Sequence, residues 1–328
     1  MEYKTLGRTG LRVSRVAFGC GPVSGLMTGE NHDLQTEVVR AAMDCGINWF
    51  DTAAGYGQGS SERNLGRLLK ELRGQTAAPI HVATKVRVLA ESEESFESQI
   101  QRSVESSLER LQTERVTLLQ LHNGMTPSTG DEPFSLSIEQ ILGRGSIAET
   151  LCRLREQGLV DFIGLTGTGH SDEMKEVLRS GLFDTIQAPY NLLNPSAGAE
   201  MPPDFDDRNY GNIFEDCRRL NLGVFAIRVF AAGALLGAPP GAHTLTTPFF
   251  PLSLYKRDLQ QTEKLTDAAG TGTGVSPGSA LKFVWQHPAV HSAIIGFGTP
   301  EHIASAASCV ADDEDPVQLV RIVKLMER

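Results

Sequence analysis

From end to end the chain alternates short apolar runs of strand length with amphipathic stretches of helix length. The strand-like runs are residues 16–20, 48–51, 81–85, 118–122, 162–165, 185–188, 224–227 and 293–295. The helical patterns between them cover 34–45, 61–72, 95–111, 147–157, 171–179, 213–220 and 277–285. Nearly continuous apolar runs suit parallel strands covered on both faces, and an amphipathic helix suits the crossover between two of them. Eight such runs in 328 residues predict an α/β chain folded as a (β/α)8 barrel. A doubly wound dinucleotide-binding sheet would carry GxGxxG after an early strand. Gly19-Cys20-Gly21 follows the first run, but no third glycine completes the motif.

Local punctuation agrees with this parsing. Gly46, Gly158 and Gly181 close helical patterns, as left-handed C-caps do. Ser61 and Ser171 stand where N-caps are expected. Residues 3–13 look like two short strands around a glycine-containing turn, a hairpin that would plug the N-terminal mouth of the barrel. Three long connections, 124–145, 193–212 and 231–251, follow the fourth, sixth and seventh runs. They would emerge at the C-terminal face, where loops of this length build a pocket. No linker divides the chain, so residues 1–328 read as one barrel domain.

Composition narrows the partners. Hydrophobic residues at 40 % allow a sizeable core and argue against disorder. With 30 basic against 40 acidic residues, the net charge of −10 argues against nucleic acid or an anionic membrane as partner. A local basic pocket for a phosphate stays compatible with it. The cysteines Cys20, Cys45, Cys152, Cys217 and Cys309 are dispersed, the pattern of reduced thiols. The first residues lack the apolar core of a signal peptide, and no apolar run is long enough to span a bilayer, so a cytoplasmic location is expected. No HxxH or cysteine cluster points to a metal.

Four polar residues stand where the first runs end. Asp51 follows Ile47-Asn48-Trp49-Phe50, and Tyr56 lies on the glycine-rich loop just after it. Lys85 ends the third run and His122 the fourth. On parallel strands these ends share one face, so a carboxylate, a phenol, an ammonium and an imidazole converge. An ammonium beside Tyr56 would favour its phenolate and lower its pKa, and Asp51 would keep Lys85 charged. A phenol so placed can protonate a carbonyl oxygen as hydride reaches its carbon.

The stretch Phe50-Asp51-Thr52-Ala53-Ala54-Gly55-Tyr56-Gly57, with Ser61-Glu62 after it, resembles the signature of the aldo-keto reductase superfamily. Thr84-Lys85, Leu119-Gln120-Leu121-His122, Ile163-Gly164-Leu165-Thr166-Gly167, Gln187-Ala188-Pro189-Tyr190-Asn191 and Ile294-Ile295-Gly296 follow in the order of that family. The resemblance implies an extended nicotinamide dinucleotide across the C-terminal face, with NADP(H) the family default, and a small aldehyde, ketone or sugar as substrate. It makes Tyr56 the general acid/base, Asp51 and Lys85 the residues that tune it, and His122 the one that orients the carbonyl or hydroxyl. Cofactor contacts would fall to Gly21, Asp51, Thr166, Gln187, Ile227, Arg228, Gly296, Gly298 and His302. The substrate pocket would be lined by Cys20, Pro22, Tyr56, His122 and Asn123.

Departures from the family pattern sharpen these expectations. Thr166-Gly167 replaces the usual Ser-Asn pair, and Ile227 stands where an aromatic ring often stacks on the nicotinamide. Arg228 then reads as a pyrophosphate ligand, with a loop ion pair as its alternative. Gly298, His302 and Ala306 replace the Arg or Lys and the Asn that hold the adenosine 2′-phosphate, which leaves NAD(H) open. The branch with sugar 1-dehydrogenases acting on galactose, fucose or arabinose is the most similar. Channel-associated β subunits, which keep the cofactor, resemble reductases too, so a nucleotide-sensing role is the alternative of another class. Monomer and homo-oligomer are both compatible with the sequence.

Overall fold

The computed structural model describes residues 1–72, 74, 78–270 and 274–311. In chain order its strands and helices are β1 (Tyr3–Thr5), β2 (Arg12–Ser14), β3 (Val16–Gly19), α1 (His32–Asp44), β4 (Trp49–Asp51), α2 (Ser60–Glu71) and β5 (His81–Val86). Next come α3 (Phe96–Leu111), β6 (Val116–Leu121), α4 (Ile138–Leu142), α5 (Ile147–Glu156), β7 (Val160–Thr166), α6 (Ser171–Arg179) and β8 (Thr185–Pro189). The chain continues through α7 (Ile213–Arg219), β9 (Gly223–Ile227), α8 (Leu252–Ala269), α9 (Pro277–Gln286), β10 (Ser292–Gly296) and α10 (Pro300–Ala311).

Strands β3 to β10 are parallel and close into a barrel, because β10 pairs with both β3 and β9. These are the eight apolar runs of the sequence. Their buried side chains face either the barrel interior or the ring of helices, so neither side shows the polar alternation of a half-exposed sheet. Helices pack on the barrel through apolar stripes, as on α1, where Val38, Val39, Ala42 and Met43 are buried. Part of the expected domain, residues 312–328, lies outside the described residues.

The floor of the barrel is closed from the N-terminal side. Strands β1 and β2 pair antiparallel, with Tyr3 opposite Ser14 and Lys4 opposite Val13. The hairpin sends Leu6 and Val13 into a cluster with Ala17, Trp49, Ala83, Leu118 and Phe225, all fully buried. Trp49 and Phe225 pack with ring centroids 4.6 Å apart. A Cβ added to Gly223 would lie 2.6 Å from Leu6 Cγ, so the hairpin seats only because β9 opens with a glycine. Arg8 staples the turn to the barrel, donating to the carbonyls of Gly181 (2.8 Å) and Phe183 (2.6 Å) and pairing with Asp184.

Helix α8 and the short α4 are additions to the expected pattern. The buried face of α8 comprises Tyr255, Asp258, Thr262 and Thr266, so its stripe is largely polar. The hydroxyls of Thr262 and Thr266 donate to the carbonyls of Asp258 and Thr262, which makes burial of these threonines affordable while hiding the helix from a hydrophobicity pattern. The C-caps stand as expected, with φ of 82°, 77° and 75° at Gly46, Gly158 and Gly181. The N-caps at Ser61 and Ser171 do not: α2 begins at Ser60 and α6 at Ser171 itself, and neither start has a side-chain cap. Ser61 is instead committed to the site described next. Among the described residues, no helix is long and apolar enough to cross a membrane.

Candidate active site

The parallel register lifts Asp51, Lys85 and His122 to one rim of the barrel. Asp51 is the last residue of β4, Lys85 is the penultimate residue of β5, and His122 follows β6 with its N–H on the carbonyl of Val86. Tyr56 comes back over them on the turn after β4, where Gly57 and Gln58 take left-handed conformations (φ 56° and 53°).

Lys85 is the centre of the arrangement. Its ammonium donates to Asp51 Oδ2 (2.6 Å), the carbonyl of Thr52 (2.8 Å) and the Tyr56 hydroxyl (3.3 Å). All three N–H groups of the ammonium therefore have acceptors. On its other oxygen Asp51 accepts from Gln120 Nε2 (3.3 Å) and from Gln187 Nε2. The Tyr56 and His122 rings meet edge to face, with centroids 5.8 Å apart, and both remain partly open toward the mouth. Phenol and imidazole therefore face the same opening, while the carboxylate and ammonium lie beneath them.

The electrostatics follow from burial and these contacts. Burial pushes the Tyr56 phenol above its ordinary value; the Lys85 charge pulls it down but does not prevail, as the sequence had suggested it would. Burial works against the Lys85 ammonium, but the Asp51 and Tyr56 charges and hydrogen bonds outweigh it and raise its pKa. His122 is held well below the usual imidazole value by burial and by the charges of Lys85 and Arg87. At neutral pH the site thus holds a phenol, an ammonium and a neutral imidazole.

Helix α2 braces the strand ends. Ser61 Oγ donates to the carbonyl of Cys20 (2.8 Å) and shares a hydrogen bond with Thr52 Oγ1. Glu62, wholly buried, accepts from Thr84 Oγ1 (2.5 Å) beside Lys85 and from Arg110 Nε (2.6 Å) on α3. The Ser61-Glu62 pair of the signature thereby ties together the ends of β3, β4 and β5.

Residues assigned to the substrate pocket divide. Pro22 is half-buried on the loop after β3, beside Gly21, where a Cβ would meet the Tyr56 ring at 3.5 Å. Cys20 is fully buried, and burial pushes its thiol far up, so it backs the pocket rather than facing it. Asn123 is fully buried too; its amide holds the N–H and carbonyl of Val88 and the carbonyl of Phe134, so it shapes the wall instead of presenting a polar group.

The residues assigned to the cofactor lie on the same rim. Thr166 ends β7, and its Oγ1 is buried without a hydrogen-bond partner among the described residues. Gln187 on β8 reaches Asp51, as above. Ile227 ends β9, half-buried. Arg228 has a left-handed backbone (φ 55°), pairs with Asp258 (2.8 Å) and lies over the ring of Phe250. The loop ion pair is the arrangement the structure contains. Gly296 is exposed at the end of β10, and Gly298 N–H donates weakly to His302 Nδ1 (3.4 Å) at the start of α10. Among the described residues, no group of three His, Cys, Asp or Glu side chains is arranged to hold a metal.

Comparison with known proteins converges on one family. A family model described as the aldo/keto reductase family matches residues 15–323. An L-galactose dehydrogenase of Arabidopsis thaliana is 36 % identical over 51 % of this chain and 49 % of its own length. The aldo-keto reductase YhdN of Bacillus subtilis is 31 % identical over 68 % of this chain and 64 % of its own. The matched stretch thus spans about half and about two thirds of those two relatives. A D-threo-aldose 1-dehydrogenase of a Pseudomonas species is 26 % identical over 92 % of this chain and 91 % of its own length. The fold is similar to that of aldo-keto reductase AKR11C1 from Bacillus halodurans, in its holo form, with a TM-score of 0.72 and 22 % identity over 99 % of this chain and 96 % of that one.

Proposed function

The chain belongs to the aldo/keto reductase family, and on that premise we propose that it is a nicotinamide-dependent oxidoreductase. It works as one (β/α)8 domain that interconverts a carbonyl and a carbinol. The observation that carries this reading is the ammonium of Lys85, with Asp51 on one side and the Tyr56 hydroxyl on the other. A nicotinamide held at this rim would supply hydride to the carbonyl carbon or take it from the carbinol.

The residues of the chain handle the proton and the position. Tyr56, kept a phenol by burial, donates its proton to the carbonyl oxygen. The Lys85 ammonium stabilises the phenolate left behind, and Asp51 keeps the ammonium charged. His122, neutral, hydrogen-bonds the same substrate oxygen and fixes its direction. For oxidation the roles reverse and Tyr56 must first lose its proton, so carbinol oxidation is favoured by alkaline pH.

The rim fits such a cofactor. Thr166 Oγ1 and Ser24 Oγ are buried without partners among the described residues, and an unmade hydrogen bond of this kind is costly. Gly296 and Gly298 precede the N-terminus of α10, whose N–H groups suit a phosphate. Gln187 and Ile227 stand beside them on the rim, and Arg228 is committed to Asp258. Residues 296–302 contain no Arg or Lys, and Glu301 sits in the first turn of α10 with a carboxyl held low by the Thr299 hydroxyl. A second phosphate there would meet an anion, so the geometry favours NAD(H) over NADP(H).

A second reading rests on the relatives named for L-galactose and D-threo-aldoses: oxidation of a sugar such as L-fucose or D-arabinose at C1. One experiment separates them. Absorbance of the reduced nicotinamide is followed with NADH and NADPH on an aromatic aldehyde, and with NAD+ and NADP+ on both sugars. Consumption in the first arm, lost in Tyr56→Phe, supports the reductase and ranks the cofactors. Production in the second arm alone moves the assignment to the sugar dehydrogenase. Silence in both, with tight cofactor binding, leaves a nucleotide-sensing module or a substrate outside both arms as the reading.

A further inference from the structure

Arg87 lies two residues beyond Lys85 along the line of β5. Strand side chains alternate with a period of two, so it shares the side of Lys85, about 7 Å nearer solvent. Its charge reaches both the Tyr56 phenol, where it opposes the rise caused by burial, and the His122 imidazole, where it adds to the depression caused by burial and Lys85. Yet the Arg87 guanidinium has no carboxylate or hydrogen-bond partner among the described residues, and its Nε is buried without one. Arg208, Arg228 and Arg257, from the loops and helix of the same end, each hold a carboxylate. In a chain with a net charge of −10, an arginine left unpaired beside the site calls for an anion from outside.

What does hold Arg87 is aromatic. Its guanidinium lies 5.0 Å from the ring centroid of Phe134 and 4.4 Å from that of Phe249. The two rings come from the loops after β6 and β9 and stand 5.8 Å apart. Stacking against rings occupies the guanidinium face and leaves its N–H edge for a planar anion. Phe134 is fixed by the Asn123 bond to its carbonyl, in spite of a left-handed backbone at φ 59°. Phe134 and Phe249 are about 40 % exposed, and Val23, Leu89 and Leu245, also on loops of the C-terminal face, are exposed too. A cation stacked on two exposed aromatic rings fits an organic acid better than a free sugar.

We propose that Arg87 determines specificity by holding the carboxylate of an oxo acid or hydroxy acid with an apolar body, while the reacting oxygen meets Tyr56 and His122. The inference rests on the oxidoreductase reading and names its substrate class.

The test compares 4-formylbenzoate with its neutral isostere 4-formylbenzamide under reduced nicotinamide. The wild type should favour the acid by at least ~10-fold in kcat/KM, mainly through KM, as a charge-assisted bidentate contact implies. Arg87→Met should bring that ratio to about one, and Arg87→Lys should restore part of it. An unchanged ratio in Arg87→Met, or a wild-type preference for the amide, overturns the proposal. If Arg87 acted only on the Tyr56 proton, both substrates would fall together, which also overturns it. Should neither aldehyde react, calorimetric titration of 4-formylbenzoate decides the present point independently of turnover. Binding to the wild type that is lost in Arg87→Met upholds the anion site; equal binding, or none, rejects it.

Discussion

The same eight strands end in two opposite ways. At the floor, Leu6 and Val13 of the hairpin pack with Trp49 and Phe225 in one buried apolar cluster. At the mouth, an ammonium and a carboxylate are buried beneath a phenol, while large apolar side chains are left in solvent. The floor follows the usual distribution of side chains and the mouth inverts it. Burying the charges costs solvation, which the mouth recovers only through the full set of hydrogen bonds around Lys85 and Asp51. The lesson is a division of labour: one end supplies stability and the other spends it on chemistry.

Substitutions can separate the two ends. The largest effect is expected at the mouth: Tyr56→Phe should lower kcat by roughly 1,000-fold, within the usual range for a lost general acid, while the melting temperature stays near that of the wild type. A parallel fall in melting temperature would show that the phenol holds the fold together. At the floor, Leu6→Ala should cost about 3 kcal/mol of stability by opening a cavity, with kcat per folded molecule unchanged. Chemical denaturation together with active-site titration would check this, and lost turnover in the folded fraction would erase the contrast.

Acid should strike both ends, through His291 below and His122 above. Burial depresses His291 to about 4, and His122 also lies well below the ordinary imidazole value. For such a group the unfolded chain takes the proton first as pH falls below about 6.5, so stability is lost from there down toward the folded value. His291 alone should account for about 1–2 kcal/mol once partial solvent screening is allowed for. Melting temperature against pH should fall between pH 6.5 and 4, and a flat curve would contradict it. The reductive rate should show no step near pH 6.5, because both the phenol and the neutral imidazole persist through it.

The smallest effect concerns Gln120. Gln120→Leu removes one bond to Asp51 Oδ1 and should lower kcat about 5- to 10-fold, the value of roughly 1 kcal/mol for one hydrogen bond. Wild-type kcat would mean that Gln187 alone positions the carboxylate.

Gln120 also marks how far the sequence could be read. The barrel was legible because strands covered on both sides leave unbroken apolar runs. Asp51, Lys85 and His122 were legible because each stands where a run stops. Gln120 sits inside its run, between Leu119 and Leu121, where a polar residue looks like an interruption; only the requirement that a buried amide find a partner marks it. Helix α8 was hidden because threonines bonded to their own helix line its buried face. Asn123 was taken for a pocket residue because sequence order cannot tell a side chain that faces a cavity from one that clasps the neighbouring backbone. The net direction of the Tyr56 shift depends on how much burial opposes one ammonium, a balance that only the three-dimensional arrangement sets.

The saturated hydrogen bonding of Lys85 has a consequence for labelling chemistry. An amine attacks an electrophile only through a bare lone pair, and this one is protonated, with all three N–H groups engaged. Pyridoxal, isothiocyanates and acylating agents that survey lysines should therefore modify exposed amines such as Lys70 and leave Lys85 untouched. Only loss of the Asp51 carboxylate, as in Asp51→Asn, should turn it into a target.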